Sequence, residues 1–230
     1  MIMKKFILLF LMISGVYPLQ KIMAQIKGPE VSKLTNQIVN SRKTSNDLLR
    51  KYSWTSRTEV LKSKKILNVM IEKNQFDQNG QLVRKTLNEQ GAKMPKTFLI
   101  RNIAENEKEN IEKYLFGLRD FLKKYSLPDI DQLRSFIGSA ALQVIDSTHE
   151  YVFTGKNVEG KGDQLIWWVE DLYFTTAKIE VHMIYNKDIF YFTGTFTRLK
   201  NGLNYMAYAE ALIPSKKMTL QLQNYDYIQE

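Results

Sequence analysis

Cysteine is absent from all 230 residues, and histidine occurs only at His149 and His182. The first absence excludes disulfides, a thiolate nucleophile and lipid attachment to a mature N-terminal cysteine. The second excludes a His-rich metal centre. Glycine (11) and proline (5) are scarce, and no Gly/Pro/Ser-rich stretch divides the chain. No internal repeat or low-complexity run is present either. Long hydrophobic runs are equally few. The longest, Phe6–Val16, has about a dozen residues, whereas a spanning helix needs roughly 20.

That run has another reading. Met1-Ile2-Met3-Lys4-Lys5 is a short basic start, and Ile22-Met23-Ala24 precedes Gln25 as a small-residue cleavage site. The pattern predicts a signal peptide over 1–24, cleaved after Ala24, and a single mature domain over 25–230. An uncleaved N-terminal anchor is the competing reading. Export without disulfides points to a bacterial envelope and a periplasmic location. Without Lys4, Lys5 and Lys21 the formal charge falls from +9 to +6. Lys and Arg are interspersed with acids, so nucleic acid is not expected. They read as a solvated surface with a basic bias; the alternative is attraction to anionic lipid head groups or an acidic partner.

The most regular part of the chain is 163–227. It predicts strands over Gln164–Glu170, Ala177–Tyr185, Ile189–Leu199, Leu203–Ile213 and Lys217–Tyr227. Asn186-Lys187-Asp188, Asn201-Gly202 and Pro214-Ser215 join the last four, and Asn-Gly predicts a type I′ hairpin turn. Phe190, Phe192, Gly194 and Phe196 alternate with Tyr191, Thr193, Thr195 and Thr197. In the next strand Met206, Tyr208 and Leu212 are expected on one face, opposite Tyr205, Ala207, Ala209 and Ala211.

Earlier segments must extend or cover this meander. Val31, Leu34, Ile38, Ser41, Ser45 and Leu48-Leu49 follow a 3.6-residue period and predict an amphipathic helix over 30–50. Strands follow at Tyr52–Leu61, Ile66–Phe76 and Gln81–Leu87, with Leu67, Val69 and Ile71 on one face and a hairpin at Asn79-Gly80. Asn88–Lys96 reads as a loop. Ile103–Tyr125 carries a helical apolar stripe that includes Leu118, Phe121 and Leu122, acids at its start and Arg119, Lys123 and Lys124 at its end. A shorter helix is expected over Asp129–Ile137, then short strands at Ala141–Ile145 and Tyr151–Thr154. The sum is an α+β protein: a strongly curved antiparallel sheet of about ten strands, an incomplete β-barrel with helices in its concave side.

No catalytic set emerges. Asp146, Ser147 and His149 fall within four residues, but a triad needs groups that converge from distant segments. They read as a turn. His182 alternates with Lys178 and Glu180 and reads as a surface histidine. Gly155–Gly162 lacks the Gly-Lys-Ser/Thr ending of a phosphate loop and reads as a hairpin or mobile rim. Glu170-Asp171 offers too few oxygens for calcium. Neither metal nor cofactor is expected, and the protein reads as a non-enzyme.

The leading helix into Tyr52-Ser53-Trp54-Thr55, the Asn79-Gly80 hairpin and Leu165-Ile166-Trp167-Trp168-Val169-Glu170-Asp171 form one recognisable order. It continues through 196–205 and the tail Leu220-Gln221-Leu222-Gln223-Asn224-Tyr225. Behind a signal peptide, this order resembles the outer-membrane lipoprotein carrier superfamily (LolA/LolB-like). The Arg-Pro-x-x-Phe-Arg segment of the carrier is absent. The nearest stretch here is 94–101, from Met94 to Arg101. The resemblance implies an unclosed barrel capped by helices, with acyl chains held between them.

Independently of it, the chain has 12 Phe, 12 Tyr, 3 Trp and 9 Met, soft wall material for hydrocarbon. Trp54, Phe190, Phe192, Phe196, Met206, Tyr208, Leu220 and Leu222, with Leu118 and Phe121 from the helix, are the expected cavity wall. A plain helix-on-sheet core is the competing reading. The expected function is a monomeric periplasmic binder of lipid or lipoprotein acyl chains that meets a membrane surface or receptor. Displacement of the helices Ile103–Tyr125 and Asp129–Ile137 would open it, with Gly91, Gly117 and Pro128 as hinges. The alternative is a non-catalytic structural or stress-sensing envelope protein with a filled core.

Overall fold

The computed structural model describes residues 28–91, 113–114, 117–118, 122, 124–125 and 129–230. The first helix, α1 (Gly28–Leu49), is followed by β1 (Tyr52–Lys62), β2 (Lys65–Phe76) and β3 (Leu82–Gly91). After the helical residues 113–125 that are described come α2 (Ile130–Ser139), β4 (Ala141–Ile145), β5 (Glu150–Lys156) and β6 (Gln164–Glu170). The meander continues with β7 (Thr176–Tyr185), β8 (Asp188–Arg198), β9 (Asn204–Ile213) and β10 (Met218–Gln229), with a 3-10 turn at Pro214–Lys216.

All ten strands form one antiparallel sheet in the order β3-β2-β1-β10-β9-β8-β7-β6-β5-β4. The long meander therefore ends in the middle of the sheet, where β10 pairs with β1. Among the described residues β3 and β4 are the edges of the sheet, and the barrel does not close between them. The architecture is α+β and mostly sheet, as the alternation predicts. β3 runs further than expected, to Gly91, through residues the sequence pattern assigns to a loop.

The turns correct one expectation. Asn201 does not adopt positive φ; only Gly202 does, at 94°. Leu199 N bonds Leu203 O and Gly202 N bonds Leu199 O, the arrangement of a type I turn closed by a glycine bulge. The Asn201 amide is used differently: Oδ1 accepts from Leu203 N, and Nδ2 donates to Tyr52 Oη at 2.6 Å. The Asp77–Gln81 hairpin has the same form, with Gly80 at φ 74° and Asp77 Oδ1 accepting from Asn79 N and Gln81 N. Two consecutive positive-φ residues instead occupy Ser63-Lys64 and Asn186-Lys187.

A second correction concerns β9. Thr195 pairs with Tyr208 but Phe196 pairs with Met206, so Ala207 is an extra residue. Such a bulge reverses the parity of side chains across it. Met206 turns inward beside Phe196, while Tyr208 and Leu212 are each 39% exposed on the outer face. Ala209 and Ala211, expected outside, are buried on the inner face.

The core lies on that inner face. Leu34, Ile38 and Val39 of α1 share it with Leu133, Phe136 and Ile137 of α2. Asp129 caps α2, its Oδ1 accepting from Asp131 N and Gln132 N. Against the helices stand Phe153, Leu165, Trp167, Val169, Val181, Met183 and Phe190 of β5 to β8. Trp167 tilts against both Phe136 and Phe153 and donates from Nε1 to Thr176 Oγ1 at 3.1 Å.

Candidate functional site

The other half of the inner face is not filled. A cavity of about 590 Å³ lies over β1, β2, β3 and β10, within the size range of small-molecule sites. Leu118 and Leu122 face it from the helical residues, and Phe192, Ala209 and Ala211 bound it towards the filled half. The composition of the strands explains the void. β1 contributes Trp54, Ser56, Thr58 and Val60; β2 contributes Asn68, Met70, Glu72 and Asn74. Several of these are short or polar, and the two alanines of β9 add almost no bulk.

The wall has an apolar part and a polar part. Val60, Leu118, Leu122, Phe192, Leu220 and Leu222 make the first. The second is ordered by hydrogen bonds: Asn74 Nδ2 donates to Ser56 Oγ at 2.8 Å, and Ser56 Oγ donates to Asn224 Oδ1 at 2.5 Å. Asn224 Nδ2 then reaches Met206 O at 2.8 Å. These bonds fix three amide and hydroxyl groups across β2, β1 and β10 and satisfy them within the wall.

Two tyrosines tether the helical residues to the sheet. Tyr125 Oη donates to Asp163 Oδ2 at 2.6 Å, and Tyr114 Oη donates to Asp188 Oδ2 at 3.2 Å. Asp163 is also the centre of the β5–β6 loop, where it accepts from Val158 N, Glu159 N and Gly160 N at 2.6–2.9 Å. Residues 157–162 are thus wrapped around a buried carboxylate and are not a free rim. Burial, followed by the neighbouring carboxylates, raises the Tyr114 and Tyr125 hydroxyls well above the ordinary tyrosine range. Asp188 is held below its usual value, first by the Ser215 hydroxyl and then by Lys216 and Tyr114. Gly117 packs where the Tyr185 hydroxyl leaves no room for a Cβ, which makes it a close-approach glycine.

Of the residues expected to line a cavity, Trp54, Phe192, Leu220, Leu222 and Leu118 do so. Phe190 is fully buried in the filled half, and Phe196 and Met206 pack against that core. Tyr208 is on the outer face, removed there by the Ala207 bulge. Phe121 lies outside the described residues. Sequence reasoning missed the polar wall. On β2 the sequence groups Leu67, Val69 and Ile71 on one face and assigns no residue of the strand to the cavity, which takes Asn68, Met70, Glu72 and Asn74.

Of the remaining sequence candidates, His149 and Asp171 come together. His149 is exposed in the 146–149 turn with Nδ1 3.2 Å from Asp171 Oδ2. His182 stands edge-on to Tyr191. Glu170 accepts from Thr175 Oγ1 at 2.9 Å. Among the described residues no group of three His, Asp or Glu could hold a metal ion. No helix among them is long and apolar enough to cross a membrane.

No family model matches the chain, and no curated protein matches it. Among solved structures it is similar to a DUF1329 family protein from Desulfovibrio piger, at 9% identity and TM-score 0.44, over 87% of this chain and 93% of that one. It is also similar to a LolA superfamily protein from Nitrosomonas europaea, at 11% identity and TM-score 0.32, over 85% and 93%. The second carries the family name to which the sequence resemblance points; at such low scores neither likeness bears on function.

Proposed function

We propose that this protein is a non-catalytic carrier or sensor that holds the hydrocarbon part of a lipid or lipoprotein in the cavity over β1, β2, β3 and β10, and that it works in the periplasm. The observation that carries the reading is the void itself, about 590 Å³ with Val60, Leu118, Leu122, Phe192, Leu220 and Leu222 on its wall. Each buried methylene contributes about 0.8 kcal/mol, so a 16-carbon chain could contribute on the order of 10 kcal/mol before association costs. That leaves useful affinity without any reacting group.

Mass spectrometry of lipids that co-purify with the protein tests this. A stoichiometric acyl lipid is the expected result, and its loss is expected in Phe192→Asp or Leu222→Asp variants that keep the wild-type circular dichroism spectrum. Purification without lipid, combined with no uptake of added lipid, would count against it.

A further inference from the structure

The polar part of the wall contains a carboxylate that the fold itself does not use. Glu72 is only 8% exposed and faces the cavity from β2. Its backbone carbonyl accepts from Asn74 Nδ2 at 3.3 Å, but no hydrogen bond or ion pair among the described residues reaches its carboxylate. The neighbouring side chains are committed elsewhere. Ser56, its partner across the β1–β2 pairing, donates to Asn224. Lys73 is on the opposite face of β2, 3.6 Å from Glu230. Glu210 borders the cavity between Ala209 and Ala211, but its carboxylate is on the outer face with Tyr208, engaged by Gln221 Nε2 at 2.9 Å and Tyr208 Oη at 3.3 Å. Arg84, the cation of the lining, is exposed and has a partner of its own.

A carboxylate that faces a recess with no protein partner is open to a ligand cation, and the attraction strengthens as the ligand displaces water from between them. An anionic head group would add like-charge repulsion instead. We infer that the cavity selects amphiphiles whose polar end carries an ammonium group, bound at Glu72 with the hydrocarbon laid along Leu118, Leu122, Leu220 and Leu222. This rests on the hydrocarbon-binding reading above and adds the head-group class to it. An ammonium donor to a carboxylate is one of the stronger hydrogen bonds available. It also explains a polar wall in which Ser56, Asn74 and Asn224 satisfy one another and leave the carboxylate free to face the ligand.

The test is displacement of the neutral probe N-phenyl-1-naphthylamine by dodecylamine, dodecanol and dodecanoate, which share one chain length. Dodecylamine is expected to displace it at a concentration roughly tenfold or more below dodecanoate, the ratio a single charged hydrogen bond supplies. In Glu72→Gln the two should come within about twofold, since the charge term is gone; Glu72→Met serves if the first variant does not fold. Lysophosphatidylethanolamine of the same acyl length separates the sources. If it competes like dodecylamine, the ammonium belongs to a phospholipid head; if only dodecylamine does so, it belongs to a simple amine. Equal displacement by all the C12 compounds, or a preference that survives in Glu72→Gln, would overturn the head-group inference and leave the cavity reading intact. Failure of the probe and of every C12 compound to bind would remove both.

Discussion

The two halves of the inner face are built on the same backbone and differ in what projects from it. Over β5 to β8, large side chains such as Phe153, Trp167 and Phe190 meet Ile38 of α1 and Phe136 of α2, and the pocket beside Ile38 and Trp167 has a volume of only about 10 Å³. Over β1, β2 and β10, the inward positions hold Ser56, Thr58, Asn74 and Asn224, and the described helical residues contribute Leu118 and Leu122. The difference teaches that the void is set by side-chain volume and polarity. It does not require a gap in the sheet, because pairing continues through both halves.

Truncations should separate the halves most sharply. Phe153→Ala, with its ring fully buried against Trp167, should cost about 3–5 kcal/mol in urea unfolding. Leu222→Ala, on a wall that already borders empty space, should cost under about 1 kcal/mol. Comparable costs at both sites would show that the hollow half is packed like the other.

Asp163→Ala comes next. It leaves three backbone amides and the Tyr125 hydroxyl without their acceptor, and should cost about 3 kcal/mol, measured by thermal unfolding. A loss below about 1 kcal/mol would mean that the β5–β6 loop is held by something else. Tyr125→Phe removes one bond of that set and should cost about 1 kcal/mol.

The smallest effect is one of pH. Tyr114, Tyr125 and Tyr227 have hydroxyls raised above the ordinary value of 10.0, mainly by burial. A raised tyrosine stabilises the fold while both states are protonated, below pH 10. Above it the unfolded chain ionises first, so stability falls as pH rises. Unfolding midpoints should be flat in this respect at neutral pH and decline above pH 10, less steeply in Tyr125→Phe. An unchanged slope in that variant would contradict the tether.

Much of this architecture is legible in the sequence, because period-two alternation and turn residues are local signals. The filled half follows from Phe190, Leu165 and Trp167 in alternation and from the Leu34–Ile38 stripe of α1. Legibility fails where one residue shifts the parity. Ala207 gives no sign of being a bulge, so Tyr208 and Ala209 exchange faces. It fails again on β2, where the more apolar set of alternating residues is not the one that faces the cavity. A polar wall cannot be told from a solvated face by composition alone, and Glu72 and Asn74 look like any surface strand until β10 and the helical residues cover them. The Asn201 turn failed for a related reason, since its side chain is taken by Tyr52, 149 positions away.

A titration of N-phenyl-1-naphthylamine into the wild-type protein and into Ala209→Trp, whose side chain would occupy the cavity beside Phe192, tests the hollow half most directly. A saturable, blue-shifted rise in emission for one site per chain is expected, lost in Ala209→Trp while its unfolding midpoint stays within a few degrees of wild type. No rise in the wild-type protein, or an undiminished one in the folded variant, would contradict it.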